Sequence, residues 1–412
     1  MIHVEEALRL ILDTTPVLGM EKVDIITALG RVIGEDICAP YDIPPWDNSA
    51  MDGYAVRSED TGGVSQDHPI VLTVIEDLPA GYVARKRIKK GEAIRIMTGA
   101  PLPEGADSVV MVEETEASGE KVKLLKKTEP GQHIRKAGQD VKKDELVIPQ
   151  GTVLRPAEIG MLAALRRSFI SVYQRPTVSI LCTGDELIDV DGELKEGMIV
   201  SSNSYTLASQ VKECGGIPLV LGIARDKKEE LERKFREGLR ADVIISSAGV
   251  SVGDYDLVKG VLKDIGMEMK FWKVAMRPGQ PLAFGTIGGK PAFGLPGNPV
   301  SSMISFEQFV RPYILKMQGH KKIFRPVVEA IWQEDFRKKT GRKYFVRCIV
   351  RKRDGGYLAS STGEQGSGIL KSMVLANGLA IFPEEKDVIK AGERVKVQLL
   401  DRGFELQKTP DY

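Results

Sequence analysis

The stretch TVSILCTGDEL, residues 177–187, decides how the middle of this chain folds. Its first half is mostly apolar and β-branched, which is typical of a buried strand, and a turn with Asp185 and Glu186 follows. Three more short apolar runs follow along the chain, at residues 217–223, 242–246 and 291–295. Helical segments separate these runs, so the alternation predicts a doubly wound α/β domain with a parallel sheet.

A polar, glycine-rich or acidic loop follows each of these four strands. The loops are TGDE at 183–186, Arg225-Asp226, SAGVSVGDYD at 247–256 and PGNP at 296–299. Loops that follow parallel strands lie at the carboxyl edge of the sheet, where ligands bind. We therefore predict one ligand pocket at that edge.

Four carboxylates belong to these loops: Asp185, Glu186, Asp226 and Asp256. If they converge, they repel one another unless a cation lies among them. Mg²⁺ prefers oxygen ligands and commonly takes one or two carboxylates together with substrate phosphates. The pattern predicts a magnesium site, although Asp185 taken alone fits a helix cap equally well.

Other residues near these loops suit a phosphate or an oxyanion. Gly249 and Gly253 allow backbone N–H groups to approach a phosphate, although glycines at this spacing also occur in ordinary β-to-α connections. Lys273 and Arg277 add two cations close in sequence to the loops. An arginine can form paired hydrogen bonds to such an anion.

The string PGNPVSS predicts the start of a helix that continues to Val310. Asn298 is the expected N-cap and Pro299 the first helical residue. Free N–H groups at a helix start suit an anion, and Ser301 and Ser302 would add hydroxyl donors. The same residues also make a good structural cap, so both interpretations stay open.

The first 170 residues show a different sequence pattern. Apolar residues recur at helical spacing from Val4 to Leu12, which predicts an amphipathic helix. Residues 30–41 and 70–112 show short β-branched runs broken by glycine and proline, as in strand-rich modules. The string PPWDNSAMDGYAVR, residues 44–57, is crowded with turn formers and carboxylates. It predicts either a loop that serves a site or a surface crossover between domains.

The C-terminal part, residues 324–412, again shows a pattern typical of strands. Val395, Val397 and Leu399 alternate with polar residues, which predicts a small β-barrel or sandwich. The whole chain of 412 residues exceeds what one hydrophobic core supports, so two to four domains are expected.

Composition narrows the classes of partner and compartment. The formal net charge of +1 gives no whole-chain reason to expect nucleic acid or a membrane as partner. The four cysteines are dispersed and form no CxxC pair, so neither a disulfide framework nor a zinc site is predicted. The N-terminal segment lacks a basic n-region followed by a continuous apolar core, and we expect a cytoplasmic protein.

Five strings, in order along the chain, carry a resemblance to one family. They are PPWDNSAMDGYAVR at 44–57, RIMTGAPLPEGADSVVMVEE at 95–114, TGDEL at 183–187, SAGVSVGDYD at 247–256 and LPGNPVSS at 295–302. The chain resembles the molybdopterin molybdenumtransferases, the MoeA family to which the E domain of gephyrin also belongs. The implied domains are an N-terminal region at 1–170 with two modules (the inserted one at about 46–140), an α/β molybdopterin-binding domain at 171–320 and a C-terminal β-barrel at 324–412.

The resemblance also implies an activity. It is that of a transferase of molybdenum cofactor biosynthesis, which takes adenylylated molybdopterin, holds its pyrophosphate with Mg²⁺ and inserts molybdate into the dithiolene while AMP leaves. Family members are homodimers with a site shared between subunits, so Asp47, Asp52 and Thr98 are expected to act in the partner's site. A transient contact with the molybdopterin adenylyltransferase of the preceding step is expected as well.

Three groups of site residues carry over from the family. The catalytic group is Asp47, Asp52, Thr98, Asp140, Glu186, Lys273 and Arg277. The pterin- and nucleotide-binding group is Thr183, Gly184, Ser247, Gly249, Ser251, Gly253, Pro296, Gly297, Asn298, Pro299, Ser301, Arg347 and Ser367. The metal group is Asp185, Glu186, Asp226 and Asp256. The family usually has lysine where Arg277 stands and often where Gln280 stands, so only the first position keeps its charge.

Three alternatives stay open. Tungstate is a tetrahedral dianion of nearly the same size as molybdate, and the donors here do not distinguish the two. A non-catalytic, gephyrin-like pterin-binding scaffold is disfavoured because all four pocket carboxylates are present. The adenylyltransferase of the preceding step has a similar α/β domain but does not need a module like the first 170 residues.

Overall fold

The computed structural model describes residues 1–248, 257–353, 355–401 and 403–406. These residues form two compact units. One unit comprises Met1–Val23, Ala28–Gly34 and Ser171–Tyr412, and the other comprises Asp24–Thr27 and Glu35–Ile170.

The chain begins with the amphipathic helix that its apolar spacing predicts. Helix α1 spans Val4–Asp13 and buries Val4, Ala7 and Ile11 on one face. These residues join the core of the first unit, which also includes residues of the central sheet. Strand β1, Met20–Asp24, follows.

The second unit is rich in short strands, as the broken β-branched runs indicate. Its strands are β2 (Ile37–Cys38), β3 (Asn48–Ser49), β4 (Gly53–Val56), β5 (Ile70–Leu78), β6 (Glu92–Ile96), β7 (Ser108–Met111), β8 (Thr115–Ser118), β9 (Lys121–Leu124), β10 (Ile134–Arg135) and β11 (Leu146–Ile148). Six of them form one sheet in the order β7-β4-β6-β5-β9-β8. Tyr54 and Val56 pack into one apolar cluster and Ala55, between them, into another, because successive strand residues point to opposite faces.

A helix and two short 3₁₀ segments, Ser58–Thr61 and Val112–Glu114, complete this unit. Helix α2 spans Pro156–Ala164. Pro156 lies in its first turn, where no N–H is needed, and the Glu158 carboxylate accepts the Arg155 N–H at 2.8 Å.

The α/β part of the first unit alternates strands and helices. Its elements are β12 (Phe169–Tyr173), β13 (Thr177–Thr183), β14 (Leu187–Ile188), β15 (Ile199–Val200), α3 (Ser202–Glu213), β16 (Ile217–Ala224), α4 (Lys228–Gly238), β17 (Val243–Ser247), α5 (Leu257–Asp264), β18 (Met267–Lys273), β19 (Met276–Arg277), β20 (Pro281–Ile287), β21 (Lys290–Leu295), α6 (Pro299–Ser305) and α7 (Arg311–Met317). The four predicted strands are β13, β16, β17 and β21. They are neighbours and run parallel, which confirms the α/β prediction.

Two further strands make the sheet mixed, which the strand pattern alone did not predict. The sheet order is β16-β13-β17-β21-β20-β18, and β20 and β18 are antiparallel additions. Gly288 and Gly289 form the two-residue connection between β20 and β21 with φ of 56° and 80°. A two-residue glycine loop with both φ values positive favours an antiparallel hairpin.

The helix predicted from Pro299 to Val310 is α-helical only as far as Ser305. A π-helical turn follows at Phe306–Val310, and α7 then begins at Arg311. Pro312 has no N–H to donate to the carbonyl four residues before it, which interrupts the regular ladder here.

The C-terminal part forms the predicted small barrel. Its elements are β22 (Val327–Trp332), β23 (Phe336–Arg337), β24 (Lys343–Arg353), β25 (Gly356–Ser361), α8 (Lys371–Leu375), β26 (Gly378–Phe382), β27 (Val388–Ile389), β28 (Arg394–Leu399) and the 3₁₀ turn Gly403–Glu405. Strands β24, β25, β22, β28 and β26 pair in that order, and β26 pairs again with β24, which closes a barrel of five strands. Trp332 and Phe382 pack edge to face in its core, with ring centroids 5.1 Å apart.

Strand β19 extends the barrel sheet from the α/β part. Met276 and Arg277 pair in parallel with Lys343 and Tyr344 of β24. Among the helices that the structure describes, none is both long and apolar enough to cross a membrane.

Candidate functional site

A cavity of about 570 Å³ opens at the carboxyl edge of the parallel strands, where the sequence predicts a ligand pocket. Its lining includes six predicted residues: Glu186, Ser247, Pro296, Gly297, Asn298 and Pro299. Cys182 at the end of β13 and residues 199–203, leading into α3, complete much of the wall. We call this the edge cavity.

Asn203 ties the loops of the edge cavity together. Its Nδ2 donates to Ser247 Oγ and to the Gly297 carbonyl, each at 2.7 Å. Asn203 is buried, and its Oδ1 has no hydrogen-bond partner among the residues that the structure describes. A buried acceptor without a partner is costly, but this oxygen has almost no exposed surface, so a ligand donor reaches it only if the cavity wall rearranges. Sequence reasoning missed Asn203, although its place in the run SSNS at the start of α3 is a helix-capping signal.

The TGDE loop brings Glu186 against the backbone. Gly184 has a φ of +147°, and a Cβ built there would lie 2.4 Å from Glu186 Oε2. The Gly184 N–H donates to the Ala224 carbonyl at 3.1 Å, which joins this loop to the end of β16. Thr183 is buried at the end of β13. The glycine therefore leaves room for the Glu186 carboxylate at the cavity.

The predicted magnesium ligands are only partly brought together. The Asp226 N–H donates to Asp185 Oδ1 at 3.2 Å, and partial burial followed by the charges of Asp185 and Glu186 raises the pKa of Asp226. Within the described ranges, however, no three His, Cys, Asp or Glu residues are arranged so as to hold a metal ion. One reason is that Asp185 uses a carboxylate oxygen on the Asp226 backbone and Glu186 lies against Gly184. Asp256, with Gly249, Ser251 and Gly253, lies outside the described residues.

The start of α6 offers fewer anion donors than its sequence predicts. Asn298 occupies the N-cap position, but its side chain makes no cap hydrogen bond. Pro299 has no N–H, and the Val300 N–H donates to the Ser367 carbonyl at 3.1 Å. Ser301 and Ser302 are buried, and their role as hydroxyl donors to an anion stays a prediction. Val300, Ile304 and Ser305 of α6 are buried as well.

A second cavity, of about 470 Å³, lies where β19 meets the barrel. Its lining includes the predicted Arg277 and Arg347. Three further cations line it as well: Arg337, Lys338 and Lys339. None of the described residues lining it is a carboxylate. We call this the cationic cavity.

Arg347 is nearly fully buried, with 1% of its surface exposed. Its Nε donates to Ser372 Oγ and its Nη2 to the Gly366 carbonyl, both at 3.0 Å. Both partners are neutral, and burial lowers the pKa of the Arg347 guanidinium to about 10. A buried cation held by neutral groups favours an anionic ligand as its counter-charge.

The segment 365–368 borders both cavities. Gln365 and Gly366 line the cationic cavity, and Gly368 lines the edge cavity. The predicted Ser367 lies between them, and its carbonyl accepts a hydrogen bond from α6.

Lys273 belongs to neither described lining. It is half-buried in β18, where it pairs with Pro281. The Gln280 carbonyl accepts the Val274 N–H at 3.0 Å, which closes the turn around β19.

The second unit holds the remaining predicted residues. Asp52 Oδ1 accepts both the backbone N–H and the hydroxyl of Thr98 at 2.7 Å, and these hydrogen bonds lower the pKa of Asp52. Asp47 accepts Lys136 Nζ at 2.7 Å and the Ala137 N–H at 2.8 Å, and the same contacts lower its pKa. Asp140 is exposed. Asp47 and Asp52 are therefore ionised at neutral pH and suit charge stabilisation better than proton donation.

The first unit combines an α/β sheet that carries a polar cavity at its edge with a barrel that borders a cation-lined cavity. Together with the strand-rich second unit, this is the architecture of a multidomain protein whose cavities suit anionic small molecules. Three family models match the chain: the MoeA N-terminal region (domain I and II) at residues 2–165, a probable molybdopterin binding domain at 179–316 and the MoeA C-terminal region (domain IV) at 329–400. The chain belongs to the molybdopterin molybdenumtransferase (MoeA) family, a transferase family of molybdenum cofactor biosynthesis.

Individual relatives agree with this assignment. A molybdopterin molybdenumtransferase from Nostoc is 37% identical, with 96% of this chain and 93% of the relative covered. Molybdopterin molybdenumtransferase 2 from Mycobacterium tuberculosis is also 37% identical, over 96% of this chain and 99% of its own length. The crystal structure of a molybdopterin biosynthesis MoeA protein from Pyrococcus horikoshii superposes with a TM-score of 0.84 at 33% identity, covering 98% of this chain and all of that one.

Proposed function

We propose that this chain inserts molybdenum into molybdopterin, taking adenylylated molybdopterin and molybdate as substrates and releasing AMP. The observation that carries the proposal is the pair of cavities bordered by one segment, residues 365–368. The edge cavity takes the pterin nucleotide, and the cationic cavity takes the oxyanion. The two reactants are thereby held next to each other, and such positioning is a large part of catalysis.

The edge cavity recognises the pterin nucleotide through neutral polar groups. Ser247 and Asn298 line the cavity with polar side chains, and Gly297 allows close backbone approach. The turn at 296–299 lines the same wall. Thr183, Gly184 and Ser301 belong to the same proposed binding group, although the described lining does not include them. Gly249, Ser251 and Gly253 extend this role to the loop that follows β17.

Mg²⁺ is part of the proposal, with Asp185, Glu186, Asp226 and Asp256 as its ligands. The raised pKa of Asp226 supports it, because crowded carboxylates favour a bound cation or proton among them. When bound, the ion supplies positive charge for the pyrophosphate. Lys273 and Arg277 add cationic charge from the protein.

Asp47, Asp52, Thr98 and Asp140 act, in this proposal, in the site of the second subunit of a homodimer. The depressed pKa values of Asp47 and Asp52 support an electrostatic role. The cytoplasm is the proposed compartment, since all four cysteines are free thiols. Delivery of the adenylylated pterin by transient contact with the adenylyltransferase belongs to the same proposal.

The test is anaerobic turnover of molybdopterin adenylate with Mg²⁺ and either molybdate or tungstate, with AMP release as the readout. We expect AMP release that depends on the oxyanion, and the preferred oxyanion identifies the physiological metal. If the protein binds the pterin adenylate but releases no AMP with either molybdate or tungstate, the proposal is contradicted and the non-catalytic scaffold is favoured.

A further inference from the structure

Lys338 is an unusual lysine because it is buried beside the cationic cavity. Only 9% of its surface is exposed, and it lines the cavity with Arg277 and Arg347. Its Nζ lies 3.3 Å from the Arg342 carbonyl and 3.5 Å from the Lys339 carbonyl. Both distances are long for hydrogen bonds, so the three ammonium protons are poorly satisfied by the protein.

None of the described residues that line the cavity supplies a negative charge to balance Lys338. Burial lowers its pKa, although Tyr344, Glu385, Glu384 and Asp387 act in the opposite direction. None of those carboxylates lines the cavity, and the described lining carries five cationic side chains. Ammonium groups are seldom buried without a paired charge, because desolvation costs several kcal/mol per ion. An anion in the cavity meets that need.

Tyr344 connects Lys338 to Arg277. Lys338 Nζ lies 4.7 Å and the Arg277 guanidinium carbon 5.7 Å from the centroid of the Tyr344 ring. Both cations are within the range in which an aromatic face attracts a charge. Arg277 and Tyr344 are also partners in the ladder between β19 and β24, so the backbone fixes their separation. One ring therefore attracts two cations that would otherwise repel each other.

We propose that Lys338 contacts the oxyanion directly, as a third cation beside Arg277 and Arg347, and that Tyr344 is a positioning residue for Lys338 and Arg277. This inference rests on the proposed function, because it refines the oxyanion site. A tetrahedral dianion then meets cations contributed by β19, by β24 and by the segment after β23. Neither Lys338 nor Tyr344 has any motif in the sequence that marks it.

The first test is calorimetric titration of the full-length protein with molybdate alone, at neutral pH and fixed ionic strength. Lys338→Met should weaken molybdate binding by about tenfold to a hundredfold, the range for losing one hydrogen bond to a charged group. Lys338→Arg keeps the charge and should retain most of the affinity. Lys352→Met, an exposed lysine on β24 outside the cavity lining, is the matched control and should bind as the unmodified protein does.

The second test concerns Tyr344. Tyr344→Phe keeps the aromatic ring and should leave the molybdate affinity nearly unchanged. Tyr344→Leu removes the ring face and should weaken molybdate binding, and in turnover it should raise the KM for molybdate more than it lowers kcat. A purely structural role predicts instead that thermal stability falls while affinity, measured on the folded fraction, is preserved. That result would overturn the positioning role.

Two further variants separate this inference from the proposed function. If Arg277→Met and Arg347→Met weaken molybdate binding and Lys338→Met does not, Lys338 is not a contact and only the present inference fails. If none of the three variants changes the affinity, or if the unmodified protein binds no molybdate, the oxyanion does not occupy the cationic cavity, and the inference fails with that assignment. Failure of the insertion activity itself is shown separately, by the absence of oxyanion-dependent AMP release. Should Lys338→Met not fold, Lys338→Gln carries the same expectations.

Discussion

Four buried polar atoms on helices α3 and α6 have no hydrogen-bond partner among the described residues: Asn203 Oδ1, Gln210 Oε1, Ser302 Oγ and Ser305 Oγ. Such groups are rare in folded proteins because each costs about 1–3 kcal/mol. Of the four residues, Asn203 alone is among the described lining of the edge cavity. Because Asn203 Oδ1 has almost no exposed surface, a ligand donor would reach it only after the cavity wall rearranges.

Gly184 gives the first prediction at the scale of one residue. Gly184→Ala should lower turnover by at least about tenfold, because the new Cβ meets the Glu186 carboxylate at 2.4 Å and its backbone φ of +147° disfavours any side chain. Backbone strain of this kind costs about 1–3 kcal/mol, which calorimetric unfolding will show. Gly197→Ala is a useful control, since it shares a positive φ but has open space around it. Equal turnover of the two variants would contradict a role for the Gly184–Glu186 contact.

Asp226 gives a prediction about pH and metal. Its pKa is raised in the folded state, so the contribution of this group to stability is present at low pH and is lost as pH rises through the folded pKa. At neutral pH and without metal, Asp226→Asn should therefore raise the thermal stability slightly, by up to about 1 kcal/mol for a group this exposed. Added Mg²⁺ should stabilise the unmodified protein more than the variant. A variant less stable than the parent in chelator would contradict this account.

At the scale of one element, strand β4 depends on a glycine. It lies between β6 and β7 in the sheet of the second unit, and a Cβ at Gly53 would lie 2.0 Å from the Val110 carbonyl oxygen. The string MDGY of the sequence therefore has a packing reason at its glycine and a hydrogen-bonding reason at Asp52, which accepts from Thr98.

Gly53→Ala should destabilise the second unit by about 3 kcal/mol or more, since overpacking against fixed backbone cannot be relieved by a rotamer change. Gly160→Ala in α2 is the matched control, because its site is open and alanine favours helix by about 1 kcal/mol. The measurement is limited proteolysis followed by mass spectrometry, which reports cleavage within residues 35–170. Equal protease resistance of the two variants would show that the sheet can adjust around β4.

At the scale of the whole molecule, one arginine joins the α/β part of the first unit to its barrel. Arg325 lies in the connection between α7 and β22. It donates to Glu307 at 2.7 Å, to Glu213 at 2.7 Å and to the Leu400 carbonyl at 2.8 Å. The Glu307 side chain is only 6% exposed, so its charge depends on this partner.

Arg325→Met should lower the free energy of unfolding by about 3–5 kcal/mol, because the Glu307 carboxylate stays buried. Among the described residues, it then keeps the longer ion pair with Arg311, at 3.7 Å. The double variant Arg325→Met with Glu307→Gln should recover part of that loss. Denaturant unfolding of the single and double variants measures both. A loss below about 1 kcal/mol, as for a surface pair, would contradict the importance of this contact.

The proposed homodimer has its own test. Subunits with Asp52→Asn and subunits with Glu186→Gln should each be nearly inactive alone. If the two residues serve one shared site, random mixing makes half of the dimers mixed, each with one intact site, so about a quarter of the activity should return. The readout is AMP release after unfolding and refolding the mixture. No recovery in mixtures that contain mixed dimers would assign each site to a single chain.

Local pattern alone determined much of the architecture. Strands β13, β16, β17 and β21, helix α1 and the barrel strand β28 follow from apolar periodicity, because whether a segment is a strand or a helix depends on neighbours close in sequence. The loops that follow parallel strands had to share one edge, which placed Glu186, Ser247 and Asn298 at one cavity. The domain limits and the roles of the site residues stay predictions.

Tertiary structure alone decided which distant residues meet. Arg277, Lys338 and Arg347 surround one cavity because β19 pairs with β24 of the barrel, and no local propensity specifies that pairing. Three other features also arise from contacts between distant segments. They are the burial of Ser301 and Ser302, the hydrogen bond from α6 to the Ser367 carbonyl and the hydrogen bond from Asn203 to Ser247. Each depends on packing between segments far apart in the chain, where the favourable free energy comes from long-range burial and pairing that neighbouring residues do not encode.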